Sequence, residues 1–332
     1  MKRRTFIKEL GLSSSALSLT GCGTKAVPDR NAISVPVGNM PMKQLGKTGI
    51  DVSLLGFGAH LKESLVKQPK LRDRMIRLGY EGGINLFDVY NRDEYRQYKP
   101  MSRTIREFRK NIVLSLYAIN GTKTLEKDVD SALKTFKTDY IDLYRFRPVN
   151  DTSIAIMEKF KQAGKIRALG VAGHSTEQLT RYIDTYGGSI DYIFLIYNFH
   201  HNKANLKANE YDTGPLISRC QRENIGIIIM KPMGSDAMIK FAHERGYFNN
   251  GRVNIAQAML RYVFQRHEIS STVTAMNNID EVLLNLEAAC IPALGDEEMM
   301  MLDSLRKEAT AQKGAYLPKH YRWLESWALE TV

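Results

Sequence analysis

Arg167-Ala168-Leu169-Gly170-Val171-Ala172-Gly173-His174 is followed by a segment of helical period, Glu177 to Tyr186, and then by a second apolar run, Tyr192-Ile193-Phe194-Leu195-Ile196-Tyr197-Asn198. This is the pattern of a parallel strand–helix–strand unit, because parallel neighbours need a crossover long enough to hold a helix. Outward in both directions the alternation repeats. Strand candidates are Ser53–Ala59, Asn85–Tyr90, Asn111–Ala118, Ile141–Pro148, Arg167–His174, Tyr192–Asn198, Gly226–Pro232 and Ser270–Met276. Helix candidates include Leu125–Phe136, Ile154–Ala163, Glu177–Tyr186 and Ile255–Gln265. Eight strands alternating with helices predict an α/β fold, a closed (β/α)8 TIM barrel over residues 41–312 with an N-terminal hairpin and a C-terminal helical tail. No Gly-x-Gly-x-x-Gly follows the first strand, which argues against a doubly wound sheet.

A chain of 332 residues suits one such barrel, and 43% hydrophobic with 25% charged residues is the balance of an ordinary globular protein. The formal charge of +11 forms no long block of either sign, so no nucleic-acid arm is expected. A barrel gathers the C-terminal ends of its strands at one mouth, and function is expected there. His60, Asp88, Tyr90, Tyr117, Arg145, Arg147, His174, Asn198, His200, His201, Lys231 and Asn277 all fall at or just beyond those ends. So many ionisable groups on one rim exceed what a structural barrel needs.

Ahead of the barrel, Lys2, Arg3, Arg4 and Lys8 precede the mildly apolar Leu10–Leu19, the layout of an export signal. Ser13, Ser14, Ser15 and Ser18 keep that run below the hydrophobicity of a spanning helix. The paired arginines followed by Phe6-Ile7-Lys8 resemble a twin-arginine signal, and Leu19-Thr20-Gly21-Cys22 resembles a lipobox. The expectation is an export signal over residues 1–21, a flexible tether over 22–40, passage through the twin-arginine translocon, and a lipid on Cys22 that holds a periplasmic lipoprotein to the membrane. Cys220 and Cys290 fall in helix candidates without a Cys-x-x-Cys spacing, and read as buried thiols or as a pair in an oxidising compartment. At the other end, residues 313–332 form a tail in which Trp323 and Trp327 share a helix face, either a packing stripe or a lid over the mouth.

The chain resembles the aldo/keto reductase family over residues 41–290. The resemblance is carried by Met42 to Ser53, Gly83-Ile84-Asn85-Leu86-Phe87-Asp88, Asp139-Tyr140-Ile141-Asp142-Leu143-Tyr144, Gly164-Lys165-Ile166-Arg167, Gly170-Val171, Tyr197-Asn198, Lys231-Pro232-Met233-Gly234 and the helix bearing Asn285. It implies an oxidoreductase that transfers hydride between a nicotinamide dinucleotide, NADP or NAD, and a small carbonyl or carbohydrate. The family uses a Tyr acid, a Lys that lowers its pKa, an Asp pairing the Lys, and a His that orients the substrate oxygen. Asp88 matches the Asp. Asp93 stands where the Tyr is usual, so Tyr90, two residues from Asp88 on the same strand face, is the substitute, with Tyr95 in reserve. Tyr117 stands in the Lys position and Arg147 in the His position, with Arg145 on the same face one layer deeper. Because a buried unpaired arginine is costly, Arg147 is expected to pair with Asp88. Asp88, Tyr90, Arg147 and Tyr117 are therefore the candidate catalytic set.

For the cofactor, the resemblance assigns Lys231, Pro232, Met233 and Gly234 to the pyrophosphate and Asn285 to the adenine, with Asn277 beside them. The Ser-Asn pair and the Gln that hold the carboxamide in the family are Ala172-Gly173 and Phe194 here, and Glu281 stands near the cation that takes a 2′-phosphate. His60, Arg145, His174, Asn198 and His200 are read as substrate contacts. No metal site is assigned, because Ala59-His60-Leu61 lacks the His-x-His that metal-dependent barrel hydrolases carry on strand one. Two readings stay open. Either a guanidinium beside Tyr90 or Tyr117 supports hydride transfer, or Arg145, Arg147 and Lys231 clamp an anionic sugar or other small ligand in a catalytically degenerate barrel.

Overall fold

The computed structural model describes residues 39–58, 63–92, 95–96, 98–118, 124–200, 213–234, 236–247 and 253–312. The signal and tether up to residue 38, Cys22, His60, Asp93, His201 and the tail with Trp323 and Trp327 lie outside the described residues, as does the side chain of Tyr95.

The chain opens with the hairpin β1 (Met42–Gln44) and β2 (Asp51–Ser53), paired antiparallel. Its turn buries Leu45, Ile50 and Val52 against Leu86, Val113 and Leu143, which closes the N-terminal end of the interior. Then come β3 (Leu55–Gly58), β4 (Leu86–Arg92), the two-residue β5 (Tyr95–Arg96), β6 (Val113–Ala118), β7 (Ile141–Phe146), β8 (Ile166–Ala172), β9 (Tyr192–Ile196), β10 (Gly226–Met230) and β11 (Ser271–Ala275). All but β5 pair in parallel, and β11 returns to β3, which pairs β4, so eight strands close a barrel. The helices outside include α1 (Glu63–Val66), α2 (Pro69–Glu81), α3 (Tyr98–Ile105), α4 (Leu125–Phe136), α5 (Asp151–Gln162), α6 (Thr176–Tyr186), α7 (Thr213–Arg222), α8 (Asp236–Glu244), α9 (Ile255–Phe264), α10 (Ile279–Cys290) and α11 (Asp296–Ala311).

The predicted α/β barrel is therefore present, with its strand ends shifted for local reasons. The predicted first strand is broken at Leu54, whose N–H turns aside to the Pro41 carbonyl at 2.8 Å. The predicted strand Ile141–Pro148 stops at Phe146, since Pro148 has no N–H for a ladder. The predicted helix Ile154–Ala163 begins three residues earlier, at Asp151, because Asn150 and Ser153 form a capping box.

Period-two alternation divides each strand between two cores. One set of side chains, including Ile193, Leu195, Ile227 and Ile229, packs outward against Leu179, Ile217 and Met259 of the helices. The inward set is apolar at the closed end and becomes polar toward the mouth: Leu86 gives way to Asp88 and Tyr90, Val113 to Ser115 and Tyr117, and Leu143 to Arg145. Barrel interiors are ordinarily filled by branched aliphatic residues, so this band of buried polar groups marks the site. Gly170 makes the room for it. A Cβ there would fall inside the ring of Tyr192, its register partner on β9. Among the described residues no helix is long and apolar enough to cross a membrane. Cys220 and Cys290 are free thiols, and burial pushes Cys220 up to about 12.

Candidate active site

Asp88 on β4 and Arg145 on β7 form a salt bridge inside the barrel, each side chain 1% exposed. The Ser115 hydroxyl, from β6 between them, donates to Asp88 Oδ1 at 2.6 Å. The expected partner of Asp88 was Arg147, and the structure corrects this to Arg145. Both arginines belong to one strand face by period, but β7 ends at Phe146, and the Arg147 side chain is carried out to the exposed rim. Arg147 instead lies near Tyr117, where its charge works to lower the phenol's pKa.

Arg145 is boxed by aromatic rings. Its Cζ stands 3.4 Å from the Phe194 centroid, 4.8 Å from that of Tyr117 and 5.9 Å from that of Tyr90. Tyr90 and Tyr117, register partners on β4 and β6, meet edge to face at 5.3 Å. Burial works against the Arg145 charge, but Asp88 and the surrounding phenols outweigh it and raise its pKa. Burial pushes Tyr90 up to about 12, against the lowering influence of Arg145. Tyr117 is raised for the same reason, opposed by Arg145 and Arg147. Both phenols are therefore neutral hydroxyls at neutral pH, able to donate.

Around the rim, Lys231 follows β10 in a left-handed conformation (φ 54°), and its carbonyl accepts from Gly234 N at 3.0 Å. Pro232 pre-sets the turn between them. Asn198, fully buried after β9, donates from Nδ2 to the same carbonyl at 3.2 Å, and its Oδ1 accepts from His200 N at 3.0 Å. His200 is buried beside it. His174, beyond β8, keeps an open face to solvent, yet the wall of the mouth desolvates it. That desolvation, with the positive charges of Lys231 and Arg147, pushes it down to about 4. Asn277 donates from its backbone N–H and from Nδ2 to Glu281 at 2.7 and 3.0 Å, and Asn285 is buried on α10.

The structure thus brings Asp88, Tyr90, Tyr117 and Arg145 together, with Arg147, His174, Lys231 and Asn198 above them. Sequence reasoning missed Ser115 and Tyr192 as parts of the cluster. Ser115 was discoverable, since it lies two residues from Tyr117 on one strand face.

Burial pushes Lys231 down from 10.5 to about 8. Across pH 8 to 10.5 the unfolded chain holds a proton that the folded one has lost, so stability rises with pH in that window. Affinity for an anionic ligand at Lys231 falls in the same window, by up to about tenfold per pH unit above 8. Calorimetric titration with pyrophosphate at pH 7 and pH 9.5, on the wild type and Lys231→Met, checks this. The variant is expected to bind weakly at both and to lose the pH dependence.

The closed (β/α)8 barrel carries many chemistries, so the class is given by the comparisons. The model of the "Aldo/keto reductase family" matches residues 74–253. An "uncharacterized oxidoreductase YqkF" of Bacillus subtilis (strain 168) is 22% identical over 81% of this chain and 97% of that protein. An L-galactose dehydrogenase of Arabidopsis thaliana is 22% identical over 78% of this chain and 92% of that protein. Among solved structures, the holo form of the aldo-keto reductase AKR11C1 from Bacillus halodurans superposes with a TM-score of 0.65 at 20% identity, covering 80% of this chain and 96% of that one. The chain belongs to the aldo/keto reductase family.

Proposed function

We propose that this protein is a nicotinamide-dependent oxidoreductase acting on a small carbonyl or carbohydrate, with a rebuilt catalytic set. The carrying observation is the buried Asp88–Arg145 pair beneath Tyr90 and Tyr117. It keeps the family's order of carboxylate, cation and phenol while moving the cation from the strand that bears Tyr117 to β7. The similarity to an enzyme named L-galactose dehydrogenase supports a sugar-like substrate.

The donor set suits NADP or NAD at its diphosphate end, where Lys231 offers a half-buried cation and Pro232, Met233 and Gly234 a tight turn. Asn277 and Asn285 would border the adenosine. At the nicotinamide end the polar anchors are replaced by Ala172, Gly173 and Phe194, so shape rather than hydrogen bonding would hold the ring. When bound, the dinucleotide supplies or accepts the hydride. The chain's own residues handle the substrate oxygen. Tyr90, partly open to the mouth, holds a proton on its hydroxyl at neutral pH and donates it to that oxygen. Arg145 offsets the negative charge left on the phenol, and Ser115 with Asp88 fixes Arg145. His174 stays neutral above about pH 4 and, with Arg147, would contact the substrate, while the buried Asn198 and His200 shape the rim behind them.

The cationic cluster at Lys2–Lys8 and the Leu19-Thr20-Gly21-Cys22 run support export through the twin-arginine translocon and a lipid anchor on Cys22 at the periplasmic side. A second reading is favoured by the full burial of Arg145, enclosed by Asp88 and the Phe194 ring. In that reading Arg147 and Lys231 clamp an anionic sugar and no hydride moves. Calorimetry with NADP, NAD and sugar acids separates the two. The oxidoreductase reading expects dinucleotide affinity, and sugar-acid affinity alone would overturn it.

A further inference from the structure

The last described helix is tied to the mouth through a short relay. Arg306, on α11 and 8% exposed, donates from Nε to the Phe199 carbonyl at 2.8 Å and pairs through Nη1 with Asp303. Its guanidinium lies against Phe199 and Tyr262, with Cζ 5.9 Å from each ring centroid. Phe199 stands between Asn198 and His200, both buried, and this turn grips the Lys231 carbonyl through Asn198 Nδ2 at 3.2 Å. Lys231 needs such a grip, because a non-glycine residue at φ 54° is held in an unfavourable conformation.

Packing alone does not account for Arg306. Its Nη2 is buried without a hydrogen-bond partner among the described residues, a penalty that an apolar residue filling the gap between Phe199 and Tyr262 would avoid. What arginine adds is an N–H aimed at one carbonyl of the loop that carries two rim residues. We infer that Arg306 is a positioning residue: through the Phe199 carbonyl and Asn198 it fixes the Lys231 turn, and so sets how tightly the mouth holds a diphosphate. The functional consequence rests on the oxidoreductase reading, but the structural coupling does not.

The test is carried out on the full chain with two readouts. Lys231 is titrated by limiting acylation at a series of pH values, read by peptide mass spectrometry, and NADPH affinity is measured by fluorescence. Wild type should show a Lys231 midpoint of about 8. Arg306→Met releases the turn to solvent, so the midpoint should rise by about one unit or more toward ordinary lysine. NADPH affinity should fall about tenfold, with kcat at saturation little changed. Should Arg306→Met fail to fold, Arg306→Lys keeps the charge but not the Nε donor, and the same upward shift is expected at smaller amplitude. The control is Arg245→Met, which cuts another tie of α11, the Arg245–Glu308 ion pair at 3.0 Å, and should leave the midpoint unchanged. A folded Arg306 variant with an unmoved midpoint overturns the inference, as does an equal shift in Arg245→Met. If wild type binds no NADPH, the oxidoreductase reading fails while the Lys231 midpoint still decides this one.

Discussion

Arg145→Met will destabilise the protein by about 3–5 kcal/mol, the cost of leaving one charge of a buried pair without its partner. Asp88 is 1% exposed, and after the substitution only the Ser115 hydroxyl would still serve its carboxylate among the contacts described. The contact of the guanidinium with Phe194 goes as well, worth up to about 2 kcal/mol when desolvated. The double variant Asp88→Leu with Arg145→Met removes both charges together and should recover most of the loss, because apolar replacements of a buried pair are often neutral. Urea unfolding of the two single variants and the double measures this directly. A single-variant loss below about 1 kcal/mol is the size seen for solvent-exposed pairs and would show that water reaches this one. Recovery of stability without recovery of turnover would establish that the pair serves chemistry rather than folding.

Tyr90→Phe will lower kcat by about 10²–10⁴-fold, the range for removing a positioned general acid, and leave stability nearly unchanged. Only a hydroxyl is lost, and the ring keeps its edge contact with Tyr117. Tyr117→Phe should cost less, about tenfold. Its hydroxyl lies under the charges of Arg145 and Arg147, so its loss disturbs the setting of the site more than the proton transfer. Steady-state kinetics on both variants, with circular dichroism to confirm folding, separates the roles. The reverse order of effects would move the acid to Tyr117, and no effect in either would exclude a phenol as the acid.

Much of this architecture was legible in the residues themselves. Strand–helix alternation placed all eight barrel strands, and Leu125–Phe136 matches its helix end to end. The family resemblance put Asp88, Tyr117 and Arg147 at the site, and period two added Tyr90 beside Asp88 and Arg145 beneath Arg147. What it could not decide was which arginine meets Asp88. Arg145 and Arg147 share a face by count, and the choice turns on where β7 stops, one residue before the Arg147-Pro148 peptide. Polar starts were also hidden: α5 opens on a capped Asp151-Thr152-Ser153 turn that carries no apolar period. The Arg306 relay lay out of reach for another reason. Its partner is 107 positions away, and only the packing of α11 on the barrel brings them together.

We propose that hydride moves at this mouth under the control of the Asp88–Arg145–tyrosine cluster. The most direct measurement is isotope transfer. The purified full chain is incubated with NADPH or NADH deuterated at nicotinamide C4 and a panel of small aldehydes, ketones and sugar lactones, and the alcohols are examined by mass spectrometry. Deuterium on the former carbonyl carbon with wild type, greatly reduced with Tyr90→Phe, is the predicted result. A folded wild type that transfers none from either dinucleotide to any of the panel, or a Tyr90→Phe variant that transfers as fast as wild type, would contradict it.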